Sequence, residues 1–187
     1  YLPEVPFDIE KFFADVDRIY KATGKCIVAV SEGISDENGT LMVEKLSQSA
    51  KERDSFGHAQ LGGIAVTLAN MIKERLGCKT RGIEFSLMQR CAAHCASAVD
   101  VEESFLAGKA AVEYAVAGVT DKMVGFKCTR EGGYKCEIEL LDLSKVANTE
   151  KKVPREWINE EGNGLKQEFV DYALPLISGE AKPPFVD

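Results

Sequence analysis

Three charged side chains stand where sugar and anion chemistry could be done: Glu32, Arg81 and Arg90. Arg81 and Arg90 bracket an apolar run, nine residues apart. A guanidinium grips phosphate through paired N–H groups, each charge-assisted bond contributing roughly 1.5–3 kcal/mol. Glu32 follows directly on the apolar run Cys26-Ile-Val-Ala-Val30 and Ser31. In open α/β sheets ligands lie beyond the carboxyl ends of the strands, so a carboxylate there can accept hydrogen bonds from sugar hydroxyls. Taken singly, each residue also reads as an ordinary surface charge: Glu32 as a loop residue ahead of Gly33, and the arginines as solvated cations.

Two further constellations have chemistry-bearing types. Cys91, His94 and Cys95 lie close enough in sequence to suggest a metal site, yet structural zinc is usually held by four ligands from paired short spacings. No C-x2-C partner accompanies them. The six cysteines, Cys26 and Cys78 among them, read instead as free thiols in a reducing cytosol, used as small buried hydrophobes. The segment Phe56-Gly-His-Ala-Gln-Leu-Gly-Gly63 precedes a helical pattern, which leaves open an anion site at that helix's N-terminus.

The elements that must position these residues alternate between helix and strand. Residues 8 to 23 carry Ile9, Phe12, Phe13, Val16, Ile19 and Tyr20 on one stripe, with Asp8 as N-cap and Gly24 as stop. The run 25–31 is short, apolar and rich in β-branched residues, the pattern of a strand covered on both faces. Residues 41–55 are ambiguous. The spacing of Ile64, Leu68, Met71, Ile72 and Leu76 predicts a helix over 62–76 ended by Gly77. A strand is expected through 80–87 and a helix over 101–117, closed by Gly118. Strands at 123–128 and 134–141 flank Glu131-Gly-Gly133, a hairpin signal. The tail holds Trp157, a helix expected over 165–173, and Pro183-Pro184. The class is α/β with a mainly parallel sheet and an antiparallel extension, read as one domain over 1–187.

A net charge of -7 repels a phosphate backbone and argues against nucleic acid as a partner. No apolar run approaches the ~18–20 residues that span a bilayer. No charged-then-apolar leader is visible, so the expected location is cytoplasmic. The opening Tyr1-Leu-Pro-Glu-Val-Pro reads as an extended interior segment rather than a natural beginning.

Nearly the whole chain resembles the second half of the phosphofructokinases. Leu2-Pro-Glu-Val-Pro-Phe-Asp-Ile-Glu, then Val30-Ser-Glu-Gly33, is similar to the family's approach to a sugar-binding glutamate. Arg81, then Met88-Gln89-Arg90, Ser97 and Asp100 resemble its arginine and its glycine-(His or Tyr)-x-Gln-Arg signature with the serine and aspartate beyond. Gly108-Lys-Ala-Ala-Val-Glu-Tyr-Ala-Val-Ala-Gly118 and Met123-Val-Gly-Phe126 continue the register. Val146-Ala-Asn-Thr149 and Tyr172-Ala-Leu-Pro-Leu-Ile177 look like the tail of the pyrophosphate-dependent branch. The segment at 56–63 imitates the signature but has Leu61 in place of its phosphate-binding arginine, so it reads as part of an insertion. One departure stands inside the matching signature: Ser86 and Leu87 replace glycine and His or Tyr, and Leu87 cannot donate a hydrogen bond to phosphate.

The resemblance implies a Rossmann-type three-layer domain. It implies that Glu32 binds sugar hydroxyls, that Gln89 and Arg90 hold the sugar phosphate, and that Arg81 reaches a 6-phosphate across a subunit interface. It implies a glycolytic phosphotransferase acting on fructose 6-phosphate in an oligomer with a shared active site. The family's Gly-Gly-Asp loop and Thr-Asp segment, which hold Mg2+ and the donor, do not occur here. The donor-binding part is therefore expected in a separate N-terminal domain, with no catalytic residue in this chain. Pyrophosphate or ATP is the expected donor, and the insertion and tail favour pyrophosphate. Alternatives are a non-catalytic sugar-phosphate-binding or regulatory module of the same fold, and an unrelated soluble α/β domain.

Overall fold

A computed structural model describes residues 1–46 and 63–179. The 56–63 segment up to Gly62, residues 47–55 and the proline pair at 183–184 lie outside the described residues. Two compact units are present, Tyr1–Ser86 with Val153–Leu165, and Leu87–Lys152 with the residues from Lys166 onward.

The first unit is built on α1, Ile9–Thr23. Asp8 Oδ1 accepts from the backbone N–H groups of Glu10 and Lys11 at 2.8 and 3.1 Å, satisfying donors the first turn leaves orphaned. Gly24 closes the helix at φ 72°, a conformation that costs glycine little. Half of the expected stripe is buried: Phe12, Phe13 and Val16 join Phe7, Ile34, Met42, Ile64, Leu68 and Ile72 in the core, and Ile9 packs against it, while Ile19 and Tyr20 are exposed. Helix α2, Met42–Leu46, and α3, Ile64–Leu76, supply four of these, and α3 stops at Gly77 as its glycine signal predicts. Tyr1 packs edge-on against Phe7 and Phe12, with ring centroids 5.2 and 5.5 Å away.

The 25–31 run is extended but only half covered. Cys26, Val28 and Val30 pack against the core while Ile27 is 94% exposed. Its ladder contacts are with Tyr1, whose amino group donates to Ala29 O at 2.7 Å and whose carbonyl accepts from Ser31 N at 3.0 Å. That is the slanted pattern of a parallel pair centred on Val30. Burial on both faces, expected from composition, is thus replaced by burial on one.

The 80–87 expectation is corrected more fully. Thr80–Phe85 is not a strand, and at Ser86 the backbone turns to φ 42° and enters α4, Ser86–Cys91. A short apolar run cannot by itself distinguish a strand from a helical turn.

In the second unit α4 is followed by a 3-10 turn, Ala93–Cys95, and by α5, Ala98–Val116. Ser97 caps α5 by accepting from Asp100 N at 3.1 Å, and its own hydroxyl donates to Leu176 O at 2.7 Å. Strands β1, Lys122–Thr129, and β2, Lys135–Asp142, form the expected antiparallel hairpin, with Phe126 opposite Ile138 and Cys128 opposite Cys136. This is the only sheet among the described residues. The hairpin's glycines Gly132 and Gly133 take φ 74° and 109°. Short helices α6, Leu143–Val146, and α7, Gln167–Ala173, complete the unit; α7 starts two residues later than expected and runs into a 3-10 turn, Leu174–Ile177.

Candidate functional site

Glu32 is held out toward solvent by its neighbours. Ser31 Oγ accepts from Gly33 N at 3.2 Å, and Ile34, fully buried, anchors the chain below the turn. Ile34 O accepts from Met42 N at 2.9 Å, and Ser35 O from Phe7 N at 2.8 Å. The following loop is tied by Asp36, whose Oδ1 accepts from Asn38 N and Thr40 N at 2.9 and 3.0 Å while Oδ2 receives Lys45 Nζ at 2.9 Å. The Lys45 hydrogen bond, with those from the backbone, holds Asp36 below the usual carboxylate range. A fixed backbone thus carries the exposed Glu32 carboxylate.

Arg81 belongs to the same unit and is positioned similarly. On one side Thr80 Oγ1 donates to Ala69 O at 2.8 Å. On the other, Gly82 crosses α3 so closely that an added Cβ would lie 2.5 Å from Val66 Cα. Two residues further on, Glu84 Oε1 accepts from Ala65 N at 2.9 Å, satisfying a donor in the first turn of α3. The Arg81 side chain itself is exposed.

Gln89 and Arg90 stand on α4 in the second unit. No side chain of that helix is buried, and Leu87 is 70% exposed. Glu32, Arg81, Gln89 and Arg90 are all exposed, and none of their side chains makes a hydrogen bond or ion pair with another described residue. Cys91 and Cys95 are exposed, and no cluster of three or more His, Cys, Asp or Glu side chains poised for a metal occurs among the described residues.

One polar centre escaped the sequence reading. Asp15, on the apolar stripe of α1, is buried and accepts from Tyr1 Oη at 2.9 Å and Asn163 Nδ2 at 2.7 Å on Oδ2, and from Arg18 Nη2 at 3.0 Å on Oδ1. Burial pushes its carboxyl up, but the hydrogen bonds from Asn163, Arg18 and Tyr1 outweigh burial and leave it below the usual range. The Tyr1 phenol is pushed up by burial and by its bond to Asp15. Beside this centre lies a cavity of about 620 Å³ bounded by α1, the 26–31 run and the 161–165 loop. The available signal was a charge placed between Phe12 and Val16 on a stripe otherwise apolar.

Residues 1–84 match the family described as Phosphofructokinase. The chain is 43% identical, over 98% of its length, to a pyrophosphate–fructose 6-phosphate 1-phosphotransferase from Methylococcus capsulatus, and 40% identical to the protein of that name from Halomonas elongata. The crystal structure of a pyrophosphate-dependent phosphofructokinase from Marinobacter aquaeolei superposes with a TM-score of 0.76 at 39% identity, over 99% of this chain. This chain belongs to the phosphofructokinase family. It spans 42% of the length of the two curated relatives and 41% of that solved chain.

Proposed function

We propose that residues 1–187 form the fructose-6-phosphate-binding part of a pyrophosphate-dependent phosphofructokinase, which transfers a phosphoryl group to the sugar's 1-hydroxyl. The observation that carries this reading is likeness along almost the whole chain, at about two-fifths identity, to proteins bearing that name. Glu32 accepts hydrogen bonds from sugar hydroxyls. Arg90 with Gln89, and Arg81 from a neighbouring copy in a homo-oligomer, neutralise the 6-phosphate. Phosphoryl transfer is governed by positioning and electrostatics, so orienting the acceptor is a large share of the work.

The donor and Mg2+, which would neutralise charge on the transferring group, are assigned to a separate N-terminal domain. Two surfaces support a larger assembly. In the first unit the 25–31 run leaves Ile27 bare, which fits a strand of the parallel sheet in a three-layer Rossmann-type domain. In the second unit Val101, Phe105, Val112 and Val116 are exposed along α5 at helical spacing.

The test is turnover by the full-length protein with fructose 6-phosphate and Mg2+, comparing pyrophosphate with ATP. Formation of fructose 1,6-bisphosphate from pyrophosphate is expected. Binding of fructose 6-phosphate without turnover from either donor would move the assignment to a regulatory module, a reading favoured by apolar, exposed Leu87 at the signature's donor position. Failure of both binding and turnover would overturn both readings.

A further inference from the structure

The second unit contains a pair of thiols with no part in sugar-phosphate binding. Cys128 on β1 and Cys136 on β2 are direct cross-strand partners, and their sulfurs lie 3.4 Å apart. Partners across an antiparallel pair have Cα separations of about 4.5–5.5 Å, inside the range a disulfide spans. The strands need not shift register for the sulfurs to meet. Both side chains are half-buried, open to a small oxidant but shielded from large ones.

The surroundings fix the pair in place. Tyr134 Oη donates to Glu103 Oε1 on α5 at 2.7 Å and sits 3.5 Å from Cys128 Sγ. Arg130, in the same turn, stacks 4.6 Å from the Tyr172 ring centroid and donates to Tyr172 O at 3.0 Å. The turn is therefore clamped on both sides of the thiols. The other four cysteines have no sulfur–sulfur contact of this kind among the described residues.

We propose that Cys128 and Cys136 are an oxidation site, forming a cross-strand disulfide in response to a peroxide. One thiol of the pair attacks the peroxide O–O bond, becoming a sulfenic acid and releasing one oxygen as water. The other thiol then attacks the sulfenic sulfur, the S–S bond forms, and the second oxygen leaves as water. In total two thiols lose two hydrogens and one peroxide becomes two waters. The product staples the hairpin and is returned to two thiols by a dithiol reductant.

The experiment is peroxide treatment of the folded full-length protein, alkylation, proteolysis and mass spectrometry. A peptide pair joined through Cys128 and Cys136, lighter by two hydrogens and separated by dithiothreitol, is expected. It should be absent in Cys128→Ser and in Cys136→Ser. Mapping of the unmutated protein decides the matter even where those variants fold badly. Recovery of the two cysteines as separate peptides, whether alkylated or as sulfenic or sulfinic acids, would overturn the proposal.

Discussion

Asn163 donates its side-chain amide to Asp15 Oδ2 across 2.7 Å, although 148 residues separate them in the chain. The bond ties the 159–165 loop to α1, and Tyr1 and Arg18 complete the carboxylate's shell. The loop is itself rigid, since Asn159 Oδ1 accepts from the backbone N–H groups of Asn163 and Gly164. Removing the acceptor leaves three donors without it. Asp15→Ala is expected to destabilise the first unit by about 2–4 kcal/mol, read as a lower urea midpoint. Asn163→Ala should cost less, about 1–2 kcal/mol, because the other bonds remain.

The same carboxylate sets an acid limit. Its folded-state value is depressed, so its contribution is fully present above the unfolded value of about 3.9 and is lost as pH falls through the folded one. Asp15→Asn should flatten the stability profile below about pH 4 and leave its slope near neutrality unchanged. An unaltered acid limb would show that Asp15 is not a linked group.

Ser86 occupies φ 42°, where a Cβ is costly, on the residue that opens α4. Glycine, which the family resemblance has at this position, adopts that conformation freely. Ser86→Gly should raise stability by roughly 1 kcal/mol in denaturant titration, and Ser86→Val should lower it by at least as much.

Much of this architecture is legible because its signals are local. Asp8 and Gly24 bound α1, Gly77 stops α3, and the Gly132-Gly133 turn declares the hairpin. What was misread depends on distant partners. Whether 25–31 is covered on both faces is decided by distant elements packed against it, which its own composition cannot reveal. Phe85-Ser86-Leu87-Met88 is as good a strand as a helix start until the backbone of Ser86 is known. Glu32 and Arg81 stand out in the sequence because loop charges after or beside apolar runs are conspicuous. Asp15 was missed because a single acid on a helix stripe is hidden by its apolar neighbours.

Gly82 sets the approach of Arg81's segment to α3. A Cβ there would meet Val66 Cα at 2.5 Å and Ala65 O at 2.6 Å, and both are backbone atoms that cannot swing aside. Gly82→Ala is expected to cost about 1–3 kcal/mol and to displace Arg81, raising KM for fructose 6-phosphate in the full-length enzyme. A destabilised enzyme with unchanged KM would separate the fold's need for this glycine from the site's.

The proposed function requires that Arg90 hold the substrate's phosphate. Arg90→Ala in the full-length protein, assayed for fructose 1,6-bisphosphate formation against fructose 6-phosphate concentration, tests it most directly. The residue is exposed on a short helix without buried side chains, so the fold should survive the change. Loss of one or two charge-assisted bonds predicts a KM raised ~10- to 100-fold. A KM equal to that of the unmutated enzyme would rule out this role for Arg90.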